Sequence, residues 1–178
     1  MSKIAVIGLV GNSAFMSVDA FHKAGETVLA KQIHFEPGGK GFNQAIAAAR
    51  FGAEVSFLGA VGEDGFESIK NYLEKDGIKA CLAKKADSTA FAAIIIDAAG
   101  SNRVTVYQGA ELDESDVDSF AEEIKSADIL LLNNEVPESV NVRAIEIAKE
   151  SGVKVVLNPA PARKNCDFIN ENVSLFTP

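Results

Sequence analysis

Residues Pro37-Gly38-Gly39-Lys40-Gly41-Phe42-Asn43-Gln44 set three glycines and a lysine directly before the alanine-rich run from Ala45 to Phe51. Glycines there let bare backbone approach a ligand, and the unpaired N–H groups of a helix start point at its oxygens. Lys40 adds a positive charge and Asn43 both a donor and an acceptor, so the stretch suits a polyhydroxylated or partly anionic small molecule. The plainer reading, a glycine-rich turn that starts a helix, leaves the lysine among three glycines without a purpose. Glu135 is the second candidate. It follows the wholly apolar run Ile129 to Leu132 and Asn133-Asn134, which places a carboxylate at the C-terminal end of a strand, where parallel sheets open their ligand crevices. The alternative for Glu135 is a turn residue before Pro137.

Other chemistry-bearing residues read more simply. Gly59-Ala60-Val61-Gly62 departs from dinucleotide GxGxxG spacing. The acidic run Glu111, Asp113, Glu114, Asp116 and Asp118 precedes a helix with the face Val117, Phe120, Ala121 and Ile124, where acidic residues favour the helix start over a metal. Cys81 and Cys166 have neither CxxC nor Cys/His spacing and read as free thiols in a reducing compartment. A chain of 178 residues, 47% hydrophobic and 24% charged, can bury a real core. Its formal net charge of -8 opposes nucleic acid or an anionic membrane as partner. The apolar run Ile4 to Val10 lacks a cleavage site and reads as a strand, not a signal peptide. No segment approaches a membrane span, and the expected location is the cytoplasm.

These residues must be carried by alternating strands and helices. Strands are predicted at Lys3 to Gly8, Glu54 to Val61, Ile129 to Leu132 and Lys154 to Leu157, with weaker ones at Ile78 to Lys84 and Val173 to Phe176. Helices are predicted at Gly41 to Phe51, after Gly65 with Asp64 as cap and Glu67 completing a capping box, and at Glu138 to Ser151, with Gly52, Gly77 and Gly152 as stops. Ala14 to Phe21 with Thr27 to Glu36, and Ala90 to Ile96 with Arg103 to Tyr107, read as two antiparallel excursions, the first a plausible cover over the site. The pattern is βα units with two insertions.

The run Gly38 to Ala45, continued by Ala48-Ala49-Arg50-Phe51-Gly52-Ala53 and Gly59-Ala60-Val61-Gly62-Glu63-Asp64, resembles the first signature of the ribokinase-like (PfkB) sugar kinase family. Gly25-Glu26-Thr27, Asp87-Ser88-Thr89 and Asn158-Pro159-Ala160-Pro161-Ala162-Arg163 agree with it, and the resemblance is nearest to the ribokinase branch. It implies a three-layer α/β/α domain with a mostly parallel sheet and a small β-sheet lid, the lid strands at about 14–36 and 90–107. It also implies transfer of the ATP γ-phosphoryl group to a sugar hydroxyl with Mg2+. Gly38, Gly39, Lys40, Gly41 and Asn43 would contact sugar hydroxyls, Glu135 would hold another, and lid strands would pair two subunits into a homodimer.

Two departures qualify what the resemblance implies. Ribose-binding members resemble Gly-x-x-Asn-x-Asp after the first strand, whereas Gly8-Leu9-Val10-Gly11-Asn12-Ser13 places Gly11 and Ser13 at the Asn and Asp positions. A carboxylate that could accept two hydroxyl bonds, each worth roughly 1.5–3 kcal/mol, is missing there, which leaves the sugar open. The chain also stops at Thr177-Pro178, where members continue into an Asn-x-x-Glu motif and the nucleotide half with its catalytic Asp. The expectation is therefore the N-terminal portion of a sugar kinase, which carries the sugar site and lid and is inactive alone. A non-catalytic sugar-binding protein and a lid-mediated dimerisation module are the alternatives.

Overall fold

The computed structural model describes residues 1–163 and 172–177. Its main sheet has the order β10-β9-β8-β1-β4-β5, formed by β1 (Lys3–Ile7), β4 (Glu54–Val61), β5 (Lys79–Lys84), β8 (Ile129–Asn133), β9 (Lys154–Asn158) and β10 (Leu175–Phe176). Every pairing in it is parallel. A parallel sheet needs cover on both faces, so its strands read as continuous apolar runs rather than alternating ones. One face packs Val6, Val55 and Phe57 against Phe42, Ala45 and Ile46 of α1 (Lys40–Arg50) and Ile69 and Leu73 of α2 (Phe66–Lys75). The other packs Ala5, Ile7, Leu58 and Leu130 against α3 (Glu114–Ser119), α4 (Ala121–Lys125) and α5 (Glu138–Glu150), through Val117, Ile124, Val140 and Ala144. The three-layer α/β/α expectation holds, and Gly52, Gly77 and Gly152 follow their helices with positive φ.

The two insertions, which the residue pattern alone read as separate excursions, join into the one small sheet that the family resemblance implied. Its order is β3-β2-β6-β7, from β2 (Gly11–Ser17), β3 (Gln32–Gly38), β6 (Ala90–Ile96) and β7 (Asn102–Tyr107). The hairpins β2–β3 and β6–β7 are antiparallel, and a parallel β2–β6 ladder fuses them. The first pair lies several residues from the predicted Ala14 to Phe21 and Thr27 to Glu36. Both of its ladders end at Ser17, opposite Gln32 and Ile96, so 18–31 forms a loop instead of longer strands. The predicted helix over Val117 to Ile124 is likewise two short helices that break at Phe120.

The capping box lies elsewhere than predicted. Asp113 caps α3, accepting from Ser115 N and Asp116 N while Asp116 accepts from Asp113 N. Lys85 pairs with both carboxylates, which holds Asp113 well below the ordinary carboxylate pKa. Asp64 precedes the real N-cap of α2, Gly65, which has no side-chain cap. Its Oδ1 instead accepts from Thr89 N at 2.9 Å and Thr89 Oγ1 at 2.7 Å, just where the chain enters the small sheet. Thr89 is buried, and Gly62 N donates to its hydroxyl at 3.0 Å. A side chain at Gly65 would fall 2.3 Å from that hydroxyl, which explains the glycine.

The Thr89 amide, then its hydroxyl, lower the Asp64 pKa in the folded chain. Stabilisation from a lowered carboxylate is complete above the unfolded value of about 3.9 and is lost as pH falls further through the folded value. Asp64→Asn should therefore lower the urea midpoint at pH 7 and make the decline of stability below about pH 4 shallower than in the parent. Equal slopes in pH-dependent urea melts would contradict this.

Candidate functional site

β1 has β4 on one side and β8 on the other, so the chain reverses direction across the sheet at its C-terminal end, where a crevice opens. The small sheet forms the opposite wall of that crevice. Between them lies a cavity of about 780 Å³ lined by Gly11, Ser13, Gly38, Gly39, Lys40, Asn43 and Glu135. Seven of the eight residues singled out from sequence thus meet in one space. Gly41 does not line it. It is buried, and a Cβ there would lie 2.6 Å from Gly8 Cα and 2.9 Å from Asn133 Nδ2. Its glycine identity serves the approach of α1 to β1.

Gly39 is the N-cap of α1 with φ 124° and ψ 147°, a left-handed backbone, and a Cβ would stand 2.3 Å from Leu9 O. No side chain of the helix caps its own first turn, which also contains no acidic residue. Glu135 supplies the missing anion from across the sheet. Its Oε2 accepts from Lys40 N at 2.6 Å and its Oε1 from Lys40 Nζ at 2.9 Å. The positive end of the helix favours a carboxylate there. The Glu135 side chain is only 16% exposed while that of Lys40 is 44% exposed, so the pair is screened from one side and open to the cavity from the other. Each carboxylate oxygen keeps a further lone pair free for a ligand hydroxyl.

The turn that carries Glu135 is held at each carbonyl. Asn133 O accepts from Asn141 Nδ2 at 2.9 Å, Asn134 O and Val136 O from Arg163 Nη2 at 2.9 and 2.6 Å, and Glu135 O from Gln108 Nε2 at 3.0 Å. Gln108 follows β7, so one of these bonds ties the small sheet to the end of β8. Sequence reasoning missed Asn133, Asn141, Gln108 and Arg163 as site-building residues. The polar pair after an apolar strand was a usable signal for Asn133, and Arg163 closes the Asn158 to Arg163 motif, whereas Gln108 carries no local signal.

The small-sheet wall differs from the floor. Ser13, Glu36, Ala92 and Val106 are register neighbours across the four strands and share the cavity-facing side, as do Phe15, Ile94 and Val104. Ser13 is 7% exposed, and a Cβ on Gly38 would stand 3.1 Å from its Oγ. Gly11 has a packing reason of its own, since a Cβ would meet Ala90 O at 2.4 Å. The cavity therefore pairs a polar floor with a mostly apolar roof. Among the described residues no three His, Cys, Asp or Glu side chains gather into a group that could hold a metal. Cys81 is a free thiol, half-buried, and burial raises its pKa; Cys166 lies outside the described residues.

A model of the pfkB family of carbohydrate kinases matches residues 1–178. The chain belongs to the pfkB family. Among curated pfkB relatives, the ribokinase of Haemophilus influenzae is 36% identical over 180 residues, covering 98% of this chain and 59% of that protein. The solved ribokinase of Thermotoga maritima superposes with a TM-score of 0.87 at 32% identity, over all of this chain and 59% of its own. An Arabidopsis thaliana ribokinase complexed with ribose and ATP superposes with a TM-score of 0.76 at 26% identity, over 89% of this chain and 54% of its own. The chain thus spans about 60% of the length of the pfkB relatives it matches.

A methyl group on Gly41 would press on two backbone atoms of Gly8 and on the buried Asn133 amide at once. Gly41→Ala should cost about 1–3 kcal/mol, the usual penalty for overpacking. The check is a urea melt beside Gly52→Ala, where a Cβ meets nothing within 4 Å and only the positive φ opposes it.

Proposed function

We propose that this chain provides the sugar site and its covering sheet in an ATP-dependent sugar kinase. The observation that carries the reading is Glu135, whose carboxylate is fixed at the first turn of α1 and lines one cavity together with Gly38, Gly39, Asn43 and Ser13. A carboxylate and exposed backbone amides in that arrangement hold hydroxyl groups in one orientation. Phosphoryl transfer relies on such positioning together with electrostatic stabilisation of the transferred group. In this reading Glu135 accepts from one sugar hydroxyl, Lys40 and Asn43 donate to others, and Gly38 and Gly39 admit the ring close to the backbone. ATP is the phosphoryl donor and Mg2+ screens its phosphates; no base is assigned to these residues. The apolar roof of Phe15, Ile94, Val104 and Val106 acts as a lid that excludes water. A cytoplasmic setting goes with ATP as co-substrate.

The ribokinase relatives make ribose the first sugar to test. Gly11 and Ser13 put no carboxylate on the lid side at their positions, so a sugar held there by fewer charge-assisted bonds is equally in scope. The small sheet also exposes Ile33, Phe35 and Tyr107, which favours a homodimer through the lid. Sedimentation of the chain at micromolar concentration tests that part; a monomer at every concentration counts against it.

The longest chain that the gene encodes should phosphorylate at least one of ribose, deoxyribose, a hexose or a nucleoside with ATP. Lys40→Ala should raise the sugar KM about tenfold or more, as loss of one charge-assisted bond does, and Asn43→Ala about threefold or more, as loss of a neutral bond does, with the ATP KM changed less than about twofold. Turnover of no sugar, or equal losses for sugar and ATP, refutes the reading.

A further inference from the structure

Glu135 reaches the start of α1 because the backbone turns after β8, and while other side chains hold the carbonyls of that turn, one buried side chain bonds the amide of Glu135 itself. We propose that Asn133 is the positioning residue that aims the Glu135 carboxylate into the cavity. Asn133 is the last residue of β8 and is fully buried. Its Oδ1 accepts from Glu135 N at 3.0 Å, and its Nδ2 donates to Ile7 O, at the end of β1, at 3.4 Å. The same Nδ2 lies 2.6 and 2.9 Å from where side chains on Gly8 and Gly41 would begin, so it fills the space those glycines leave. One carboxamide therefore touches the end of β1, the first turn of α1 and the amide of the residue that caps that turn. Behind it, Asn141 of α5, also fully buried, donates to Asn133 O at 2.9 Å.

Packing alone does not call for this arrangement. Burying a carboxamide carries a desolvation penalty of about 1–3 kcal/mol unless its bonds are made, and a leucine would fill similar volume without it. What a leucine lacks is an acceptor for Glu135 N. Without that bond the carboxylate loses its aim at Lys40 N, 2.6 Å away, and a shift of about 1 Å in a positioning group can lower rates or affinity about a hundredfold.

The test reads the aim directly, and only its second arm rests on the sugar reading. A carboxylate 2.6 Å from an amide nitrogen deshields the amide proton, so the Lys40 backbone amide should resonate far downfield and exchange slowly in the 178-residue chain. In Asn133→Ala that resonance should move upfield and its exchange should quicken by about tenfold or more beyond any global change. Asn141→Ala, which leaves the carboxamide in place, should do the same to a smaller extent and keeps the test open if Asn133→Ala does not fold. Ile124→Val, a core truncation away from the site, should move neither. In the second arm, calorimetry with ribose and deoxyribose should show affinity falling about tenfold or more in Asn133→Ala and unchanged in Ile124→Val. An unmoved Lys40 amide in both asparagine variants, or an equal shift in Ile124→Val, overturns the proposal. If the parent chain takes up neither sugar, the calorimetry counts against the sugar reading while the Lys40 amide still decides the role of Asn133.

Discussion

Gly8 and Gly41 approach each other so closely that a Cβ on either would lie 2.6 Å from the Cα of the other. At that contact the end of β1 meets the first turn of α1, with the carboxamide of Asn133 from β8 beside both. The helix start can then point its free N–H groups into the crevice at the end of the sheet instead of standing off by the width of a side chain. Glu135, two residues beyond Asn133, comes within reach of Lys40 N as a direct consequence. Had either glycine carried a side chain, the floor of the cavity and its one low-exposure carboxylate would be pushed apart.

Electrostatics and packing divide the cavity between two sheets. The floor belongs to the parallel sheet, whose strand ends and helix start supply backbone donors, a cation and an anion. The roof belongs to the four-stranded sheet, which presents Ser13 and Glu36 among mostly apolar side chains. The two are joined by few but specific polar links. Thr89 receives Gly62 N and gives its own amide and hydroxyl to Asp64, and Gln108 reaches the Glu135 carbonyl. The sheet that roofs the cavity is therefore in hydrogen-bond contact with the turn that carries Glu135.

The glycine stretch, Glu135 and the order of the βα units were legible because each depends on local chemistry: left-handed or crowded backbone needs glycine, and buried parallel strands need unbroken apolar runs. Site features made by distant pairings were not. Nothing near Asp64 reveals that Thr89, 25 residues on, draws its carboxylate away from the cap of α2. Nothing near Ala14 reveals that β6 will pair with β2, and that partner is what limits β2 to Gly11–Ser17. For Gly41 the structure supplies a packing reason of its own, since a glycine required by a neighbouring backbone and one required by a ligand look alike in sequence.

Both excursions that build the roof leave the main body and return to it at adjoining points. Gly11 pairs with Gly38, and Ala110 N bonds to Ser88 O, so each loop of chain is closed at its base. The strands of the six-stranded sheet pair only with one another, and chain between those closures meets the main body through Thr89 and Gln108. Between those closures the tips of the two excursions can diverge or lengthen without touching the glycine contact, whereas Gln108, which bonds the Glu135 carbonyl, and the shared β2–β6 ladder tie the rest of the roof to the floor. Changes in ligand preference within this architecture are then most readily tolerated in the roof, where Ser13 and Glu36 sit, and least tolerated in the floor.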